Sequence, residues 1–485
     1  MEHGARWRRT GTRKAASAVR RPGPTTAQPR APRAEVETAA PAVLTARGVL
    51  ENLFGPPAVR TFAVRLWDGS VELPDNGQQP SFTLVLRRPG ALRRMLLPPT
   101  ELALGEAFLH DDFDVEGDAE AATALAGEIS SRLRSPVVLA RLLARLRTLP
   151  PDYPPQGDGG DVPRHPTGRL HSRDRDAAAV RSHYDVGNDF YALWLDERMV
   201  YSCAYFTTGT ESIDAAQEAK LDHICRKLRL TPGETLLDIG CGWGSLVLHA
   251  AENYGVQALG ITLSEPQAKL ARRRIGEAGL EDRCRVEVCD YRDLPRGIAF
   301  DKVASVGMFE HVGRTRLPAY FSGSYRLTKP GGFFMNHGIV LLSPVSAPRR
   351  ALGRALAPRT SFLQRHVFPD GELVTPGEAL RYAEDAGFEA RDLESLREHY
   401  ALTLRHWVRR LEDRHEEAAR LAGERTYRIW RLYMAACARA FATGRIGVTQ
   451  TLFCRTGEDG LCPLPPTRED LYRVTVRPAT NGGTR

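Results

Sequence analysis

The 485 residues predict an α/β protein: a Rossmann-like, doubly wound parallel sheet preceded by a small α+β domain. Three observations carry the prediction. The apolar run Leu236-Leu237-Asp238-Ile239 passes straight into Gly240-Cys241-Gly242-Trp243-Gly244-Ser245 and then into a helix-compatible segment over 246–253. That is how a buried parallel strand turns into a helix beside a ligand. Apolar runs at 235–239, 256–262, 285–288, 300–306 and 333–339 alternate with helical patterns, as crossover units require. The glycine turn, Thr262, Asp290 and the residues after Val306 all fall at the carboxyl ends of those runs, where open sheets bind ligands.

In chain order, residues 1–47 are rich in Arg, Ala, Pro and Thr without apolar periodicity, and read as a disordered basic tail. Residues 48–149 read as the small α+β domain. Its strands are expected at 61–67, with Asp68-Gly69 as the turn, and at 81–86. Short buried elements are expected at 92–97 and 102–109, and a helix at 119–129. A helix capped by Ser135 runs to about Arg147, with Val137, Leu139, Leu142, Leu143 and Leu146 interleaved with Arg141, Arg145 and Arg147. Such a basic amphipathic helix either lies on a membrane or docks its leucines on its own domain.

Residues 150–168 are dense in Pro, Gly and Asp and read as a linker. The catalytic domain spans 169–456, with helical patterns at 174–196, 212–228, 264–278, 376–384, 400–422 and 425–442 and a returning strand at 446–453. The insert at 343–371 carries Arg349, Arg350, Arg354, Arg359 and Arg365 and reads as a lid or binding loop. Residues 457–485 read as a polar tail.

A net charge of +8 suggests an anionic partner, nucleic acid or a membrane surface. The eight cysteines form no C-x-x-C pair, so neither a metal site nor a disulfide framework is indicated, and a reducing cytoplasm fits best. No run approaches the ~18 apolar residues of a membrane span, and no apolar segment follows Arg8-Arg9 or Arg20-Arg21. Membrane contact is therefore expected to be peripheral.

The glycine turn narrows the ligand. A P-loop needs Gly-Lys-Ser/Thr, and Gly244-Ser245 has no lysine. A dinucleotide fingerprint needs G-x-G-x-x-G, and the spacing here is G-x-G-x-G. S-adenosylmethionine (SAM) remains: its methionine part needs close backbone approach and brings no pyrophosphate. Asp238 would accept from its ammonium group. A plain glycine-rich turn is the structural alternative.

Several segments together resemble the cyclopropane-fatty-acyl-phospholipid synthases, which include the mycolic acid cyclopropane synthases. They are His183-Tyr-Asp-Val-Gly-Asn-Asp-Phe-Tyr, Tyr201-Ser-Cys-Ala-Tyr-Phe, Leu237-Asp-Ile-Gly-Cys-Gly-Trp-Gly, Gly260-Ile-Thr-Leu-Ser-Glu-Pro-Gln, Asp290-Tyr-Arg-Asp-Leu and Gly307-Met-Phe-Glu-His-Val-Gly. The likeness runs from about residue 48 to 455. It implies that Tyr201 and Ser202 touch the SAM carboxylate and amine, and that Gly240, Cys241, Gly242, Trp243 and Gly244 pass beneath the methionine part. Thr262, Leu263 and Gln267 would meet the ribose side, and Asp290, Tyr291 and Arg292 the adenine. A bicarbonate shell would comprise Cys203, Glu310, His337, the Ile339 backbone and Tyr400. Cys437 matches a family cysteine and is read either as a nucleophile or as an inert core thiol. Asn336-His337-Gly338 departs from the family's frequent Leu-His-Thr.

The resemblance implies methylene transfer to the cis double bond of an unsaturated phospholipid acyl chain. Methyl transfer leaves a carbocation, and bound bicarbonate takes the proton that closes the cyclopropane. The small domain is implied to bind lipid, placing the enzyme at the inner membrane face, with a homodimer as the family's habit. Three alternatives stand beside this: a methylene-branched product, an amine methyltransferase, and a lipid-binding scaffold without catalysis. A nucleic-acid methyltransferase lacks its Asn/Asp-Pro-Pro-Tyr/Phe motif here.

Overall fold

The structure, a computed structural model, describes residues 33–151, 168–184, 186–342 and 361–472. Its first element is the helix Arg33–Phe54, which corrects the boundary of the expected tail. Ala42, Val43, Ala46, Val49, Leu50 and Leu53 recur at helical spacing and are buried. Small alanines and the internal Pro41 hide this stripe in the sequence.

The small domain holds four short strands: β1 (Ala63–Arg65), β2 (Val71–Glu72), β3 (Phe82–Leu86) and β4 (Phe113–Gly117), in the order β2-β1-β3-β4. β2 and β4 were not expected, and the segments at 92–97 and 102–109 are the helices Ala91–Leu96 and Glu101–Leu109. The basic helix is Pro136–Thr148. Leu142 and Leu146 are fully buried, and Arg145 donates to Gly48 O (2.7 Å) on the first helix. The leucines therefore dock on the helix's own domain, while Val137 stays exposed.

The catalytic sheet is β5 (Thr235–Ile239), β6 (Gln257–Thr262), β7 (Cys284–Val288), β8 (Phe300–Val306), β9 (Thr328–Leu341), β10 (Glu389–Ser395) and β11 (Ile446–Cys454). Their order is β10-β11-β9-β8-β5-β6-β7. β11 runs antiparallel to both neighbours, and the other strand pairs are parallel. The order reverses between β5 and β8, which places the crevice at their carboxyl ends. β10 escapes sequence reading because an edge strand of Glu, Arg and Asp shows no apolar alternation. The expected 400–422 helix is two, Arg397–Asp413 and His415–Ala422.

The helix Glu424–Ala442 joins the two domains. Arg428 donates to Phe108 O (3.0 Å) and Asp111 (2.8 Å), and Arg431 to Val115 O (2.9 Å) and Glu412 (2.7 Å). Phe362 and Val367 of the insert belong to the same core as the small domain, and Arg365 pairs with Glu106 (3.2 Å). Arg349, Arg350, Arg354 and Arg359 lie outside the described residues. Part of the expected polar tail is packed: Leu471 is buried, and Asp470 pairs with Arg229 (3.0 Å). No described helix is long and apolar enough to cross a membrane.

Leu50→Ala is expected to destabilise the protein by about 2–5 kcal/mol, read by chemical denaturation. An unchanged midpoint would return this segment to the tail.

Candidate active site

The glycine turn begins where β5 ends. Gly240 (φ 85°) and Gly244 (φ 81°) adopt the left-handed region that side chains resist. A Cβ on Gly244 would also lie 2.9 Å from Ala271 Cβ. The N–H groups of Gly240 and Cys241 both donate to Ile261 O at 2.9 Å, which pins the end of β5 to β6. The helix Ser245–Tyr254 follows, its first N–H groups free of intrahelical partners.

Beside this turn lies an open cleft with a cavity volume of about 130 Å³. Tyr201, Ser202, Asp238, Gly240, Cys241, Gly242, Trp243, Thr262, Leu263 and Gln267 line it, so ten predicted cofactor residues converge there. Thr262 Oγ1 donates to Gln267 Oε1 (2.9 Å), closing one wall. Trp243 Nε1 donates to Asn188 Oδ1 (2.8 Å), which ties the His-Tyr-Asp segment to the glycine turn. His183 stacks between Phe368 (4.7 Å) and Tyr201 (5.7 Å), and burial holds its pKa down to about 3.

Gly244, Asp290, Tyr291 and Arg292 do not line the cleft. Arg292 is spent on Asp290 (2.6 Å) and Asp176 (3.0 Å), so these residues shape the edge near the helix Arg173–Tyr184.

A second group of side chains adjoins the cleft. Glu310 sits in the turn after β8, and its Oε1 accepts from Ile339 N at 2.6 Å. Its Oε2 is buried with no partner among the described residues. Burial pushes the Glu310 carboxyl up to about 7, against the Ile339 bond that stabilises the anion. Gln450 Nε2 on β11 donates to His337 Nδ1 (3.1 Å), leaving His337 Nε2 as the protonated nitrogen, buried and unpartnered among the described residues. Burial holds His337 well below its ordinary pKa, so it is neutral. Tyr400 is buried against Phe441 (4.5 Å); burial raises its pKa, helped by Tyr201, Cys203 and Glu310. Cys203 is fully buried and its thiol pushed well up. Burial pushes Cys437 up to about 12, which favours the inert-thiol reading. A Cβ at Gly338 would come within 2.7 Å of Phe309, so this departure from the family pattern makes room for that ring.

Lys220, Gln217, Tyr184, His311 and Gln450 were missed by sequence reading. Tyr184, Lys220 and His311 line the cleft, and Gln217 Nε2 donates to Val200 O (3.2 Å) and Ser202 O (2.9 Å). A signal existed: Ile213, Ala216, Leu221 and Ile224 form an apolar stripe on the helix Ile213–Lys227, and Gln217 and Lys220 interrupt it.

A family model described as mycolic acid cyclopropane synthetase matches residues 171–451. The chain belongs to this family. It is accordingly a SAM-dependent enzyme of the methyltransferase class. Residues 49–131 match a domain described as of unknown function. The chain is 42% identical over 422 residues to a probable fatty acid methyltransferase of Pseudomonas putida, covering 86% of this chain and 99% of that one. It is 37% identical over 292 residues to the cyclopropane-fatty-acyl-phospholipid synthase of Escherichia coli, covering 60% of this chain and 72% of that one. Among solved structures, the cyclopropane synthase MmaA2 of Mycobacterium tuberculosis superposes with a TM-score of 0.53 at 32% identity, over 57% of this chain and 97% of that one. The mycolic acid cyclopropane synthase CmaA1 complexed with SAH and CTAB also gives 0.53, at 33% identity and with the same coverage.

Because the folded protein binds the Glu310 proton more tightly than the unfolded chain, stability falls as pH rises from about 4.5 through about 7. Glu310→Gln keeps an acceptor for Ile339 N. It is expected to match the wild type near pH 4 and to exceed it by ~1–3 kcal/mol at pH 8, read by denaturation at both pH values.

Proposed function

We propose that this enzyme carries a one-carbon unit from SAM to the cis double bond of an unsaturated phospholipid acyl chain and closes a cyclopropane ring. The observation that carries the reading is the buried Glu310–His337 pair of unpartnered polar atoms, set beside a glycine cleft in a chain of this family. SAM supplies an electrophilic methyl group. Gly240 and Gly242 admit its methionine part, and Asp238 and Ser202 face the charges of that part. The aromatic walls of Tyr184, Tyr191, Tyr201, Trp243 and Trp430 keep water from a cationic acyl chain.

Cys203, Glu310, His337, Ile339 and Tyr400 would hold bicarbonate, which supplies a small base there. Glu310 Oε2 and His337 Nε2–H fit an anion that both accepts and donates. The Ile339 N–H is already engaged by Glu310, so that donor would be shared. Glu310, half-protonated near neutrality, orients this shell and tunes its charge.

A second reading has its own support. Two relatives covering over 80% of this chain are named probable fatty acid methyltransferases, from Pseudomonas putida and Mycobacterium tuberculosis, and a third is named a tuberculostearic acid methyltransferase. A 1,2-hydride shift in the same carbocation, followed by loss of a proton from the transferred methyl group, gives a methylene-branched chain.

The acyl chain is proposed to come from the cytoplasmic face of a bilayer. Leu44 (68% exposed) and Val137 (58%) are apolar points on the two paired N-terminal helices, beside Arg141, Arg145 and Arg147.

Expressed in a host without its own synthase, the protein is expected to add one CH₂ to unsaturated phospholipid chains by mass spectrometry. Resistance of the product to hydrogenation marks a cyclopropane, and its reduction marks a methylene branch. Glu310→Gln should lower turnover by roughly 10²–10⁴-fold with SAM affinity retained; full turnover refutes the role. The double variant Leu44→Asp, Val137→Asp should reduce co-flotation with anionic liposomes, and unchanged flotation removes this surface from consideration.

A further inference from the structure

Among the described residues that line the cleft, Lys220 is the one charged group that the chemistry above leaves unused. It projects from the helix Ile213–Lys227, is 1% exposed, and donates to Ser202 Oγ at 2.9 Å. An ammonium carries three N–H donors, yet among the described residues Lys220 forms no ion pair. Lys227, two turns along the same helix and fully buried, is paired with Glu394 (2.6 Å) and Asp392 (3.4 Å). Where a buried lysine serves structure, this fold pairs it directly with carboxylates; Lys220 feels Asp196 and Asp238 only at longer range.

Asp238 is the mirror case. It lines the same cleft, is 2% exposed, and its Oδ1 has no partner among the described residues. Two buried groups of opposite charge thus face one cavity without pairing with each other. Each would lose solvation for nothing unless a ligand answers both. The amino-acid end of SAM is a zwitterion of matching chemistry.

We propose that Lys220 is a positioning residue that reads the carboxylate of the cofactor's amino-acid end, directly and through Ser202, while Asp238 takes its ammonium. The inference rests on the assignment of this cleft to SAM. Ser202 Oγ accepts from Lys220, so its own proton is free to donate to the carboxylate. Gln217 clamps the Val200 and Ser202 carbonyls and so fixes where that hydroxyl points. A neutral serine alone would leave a buried carboxylate without counter-charge.

The ionisation of the cleft agrees. Burial lowers Lys220 to about 8, against the pull of Asp196, Cys203 and Asp238. Burial raises Asp238 to about 7, against Lys220. His337 also faces the Lys220 charge, and Cys241 and Cys284 face that of Asp238. A bound zwitterion reverses both shifts. Affinity therefore weakens below about pH 7, where Asp238 must give up a proton on binding, and above about pH 8, where Lys220 must gain one.

Calorimetric titration of the full-length wild type and Lys220→Met with SAM and with decarboxylated SAM, which keeps the sulfonium and the amine, tests this. Lys220→Met should weaken SAM roughly 10- to 100-fold and change decarboxylated SAM by less than about twofold. Equal losses for both ligands, or no loss for SAM, overturn the proposal. If the variant does not fold, Lys220→Gln, which keeps a donor for Ser202 but no charge, takes its place: a loss confined to SAM supports the role of Lys220, and equal losses or none overturn it. A wild type that binds neither ligand would instead refute the SAM assignment itself.

Discussion

Two backbone donors converging on one carbonyl hold the site together. Gly240 N and Cys241 N both reach Ile261 O, so the turn after β5 cannot move independently of the end of β6. That constraint places Asp238 and Thr262 at the same edge of the sheet. It demands a left-handed backbone at Gly240, since a side chain there would resist the turn and crowd Met308 (3.1 Å). Trp243 then reaches Asn188, and the aromatic cluster around His183 closes over the turn.

Inside that frame the fold keeps charge where water cannot reach. Asp238, Lys220, Glu310 and His337 are all buried, and each is shifted toward its neutral form. Elsewhere the same fold satisfies buried ions, as with Lys227 and its two carboxylates or Arg428 at the domain boundary. The contrast separates groups held for stability from groups held in readiness for a ligand.

The small domain is coupled to this frame through one helix. Along Glu424–Ala442, Arg428 and Arg431 grip the small domain, while Trp430 packs on His183 (4.9 Å) and Tyr433 meets Tyr201 (3.4 Å between hydroxyls). Residues of both domains share one continuous core. Displacing the small domain would therefore disturb the wall of the cleft.

Local chemistry made much of this readable. Glycines at 240, 242 and 244 announce a strand-to-helix turn because few other residues tolerate its backbone, and Tyr201, Ser202, Asp238, Gly240 to Trp243, Thr262, Leu263 and Gln267 of the motifs line the cleft. What the sequence could not reveal depends on partners distant in the chain. β10 is charged along its length and becomes a strand only because β11 offers it a hydrogen-bonding edge. The stripe on Arg33–Phe54 is broken up by alanines and Pro41 and gains meaning only against Leu142 and Leu146. The pairing of Arg292 with Asp290 and Asp176 is likewise visible only in three dimensions. The sequence by itself determined the α/β class, the glycine turn and the family, since these rest on backbone rules and contiguous motifs. Only the tertiary structure decided which buried charges lack counter-ions, because a missing partner is a property of three-dimensional surroundings and leaves no mark on neighbouring residues.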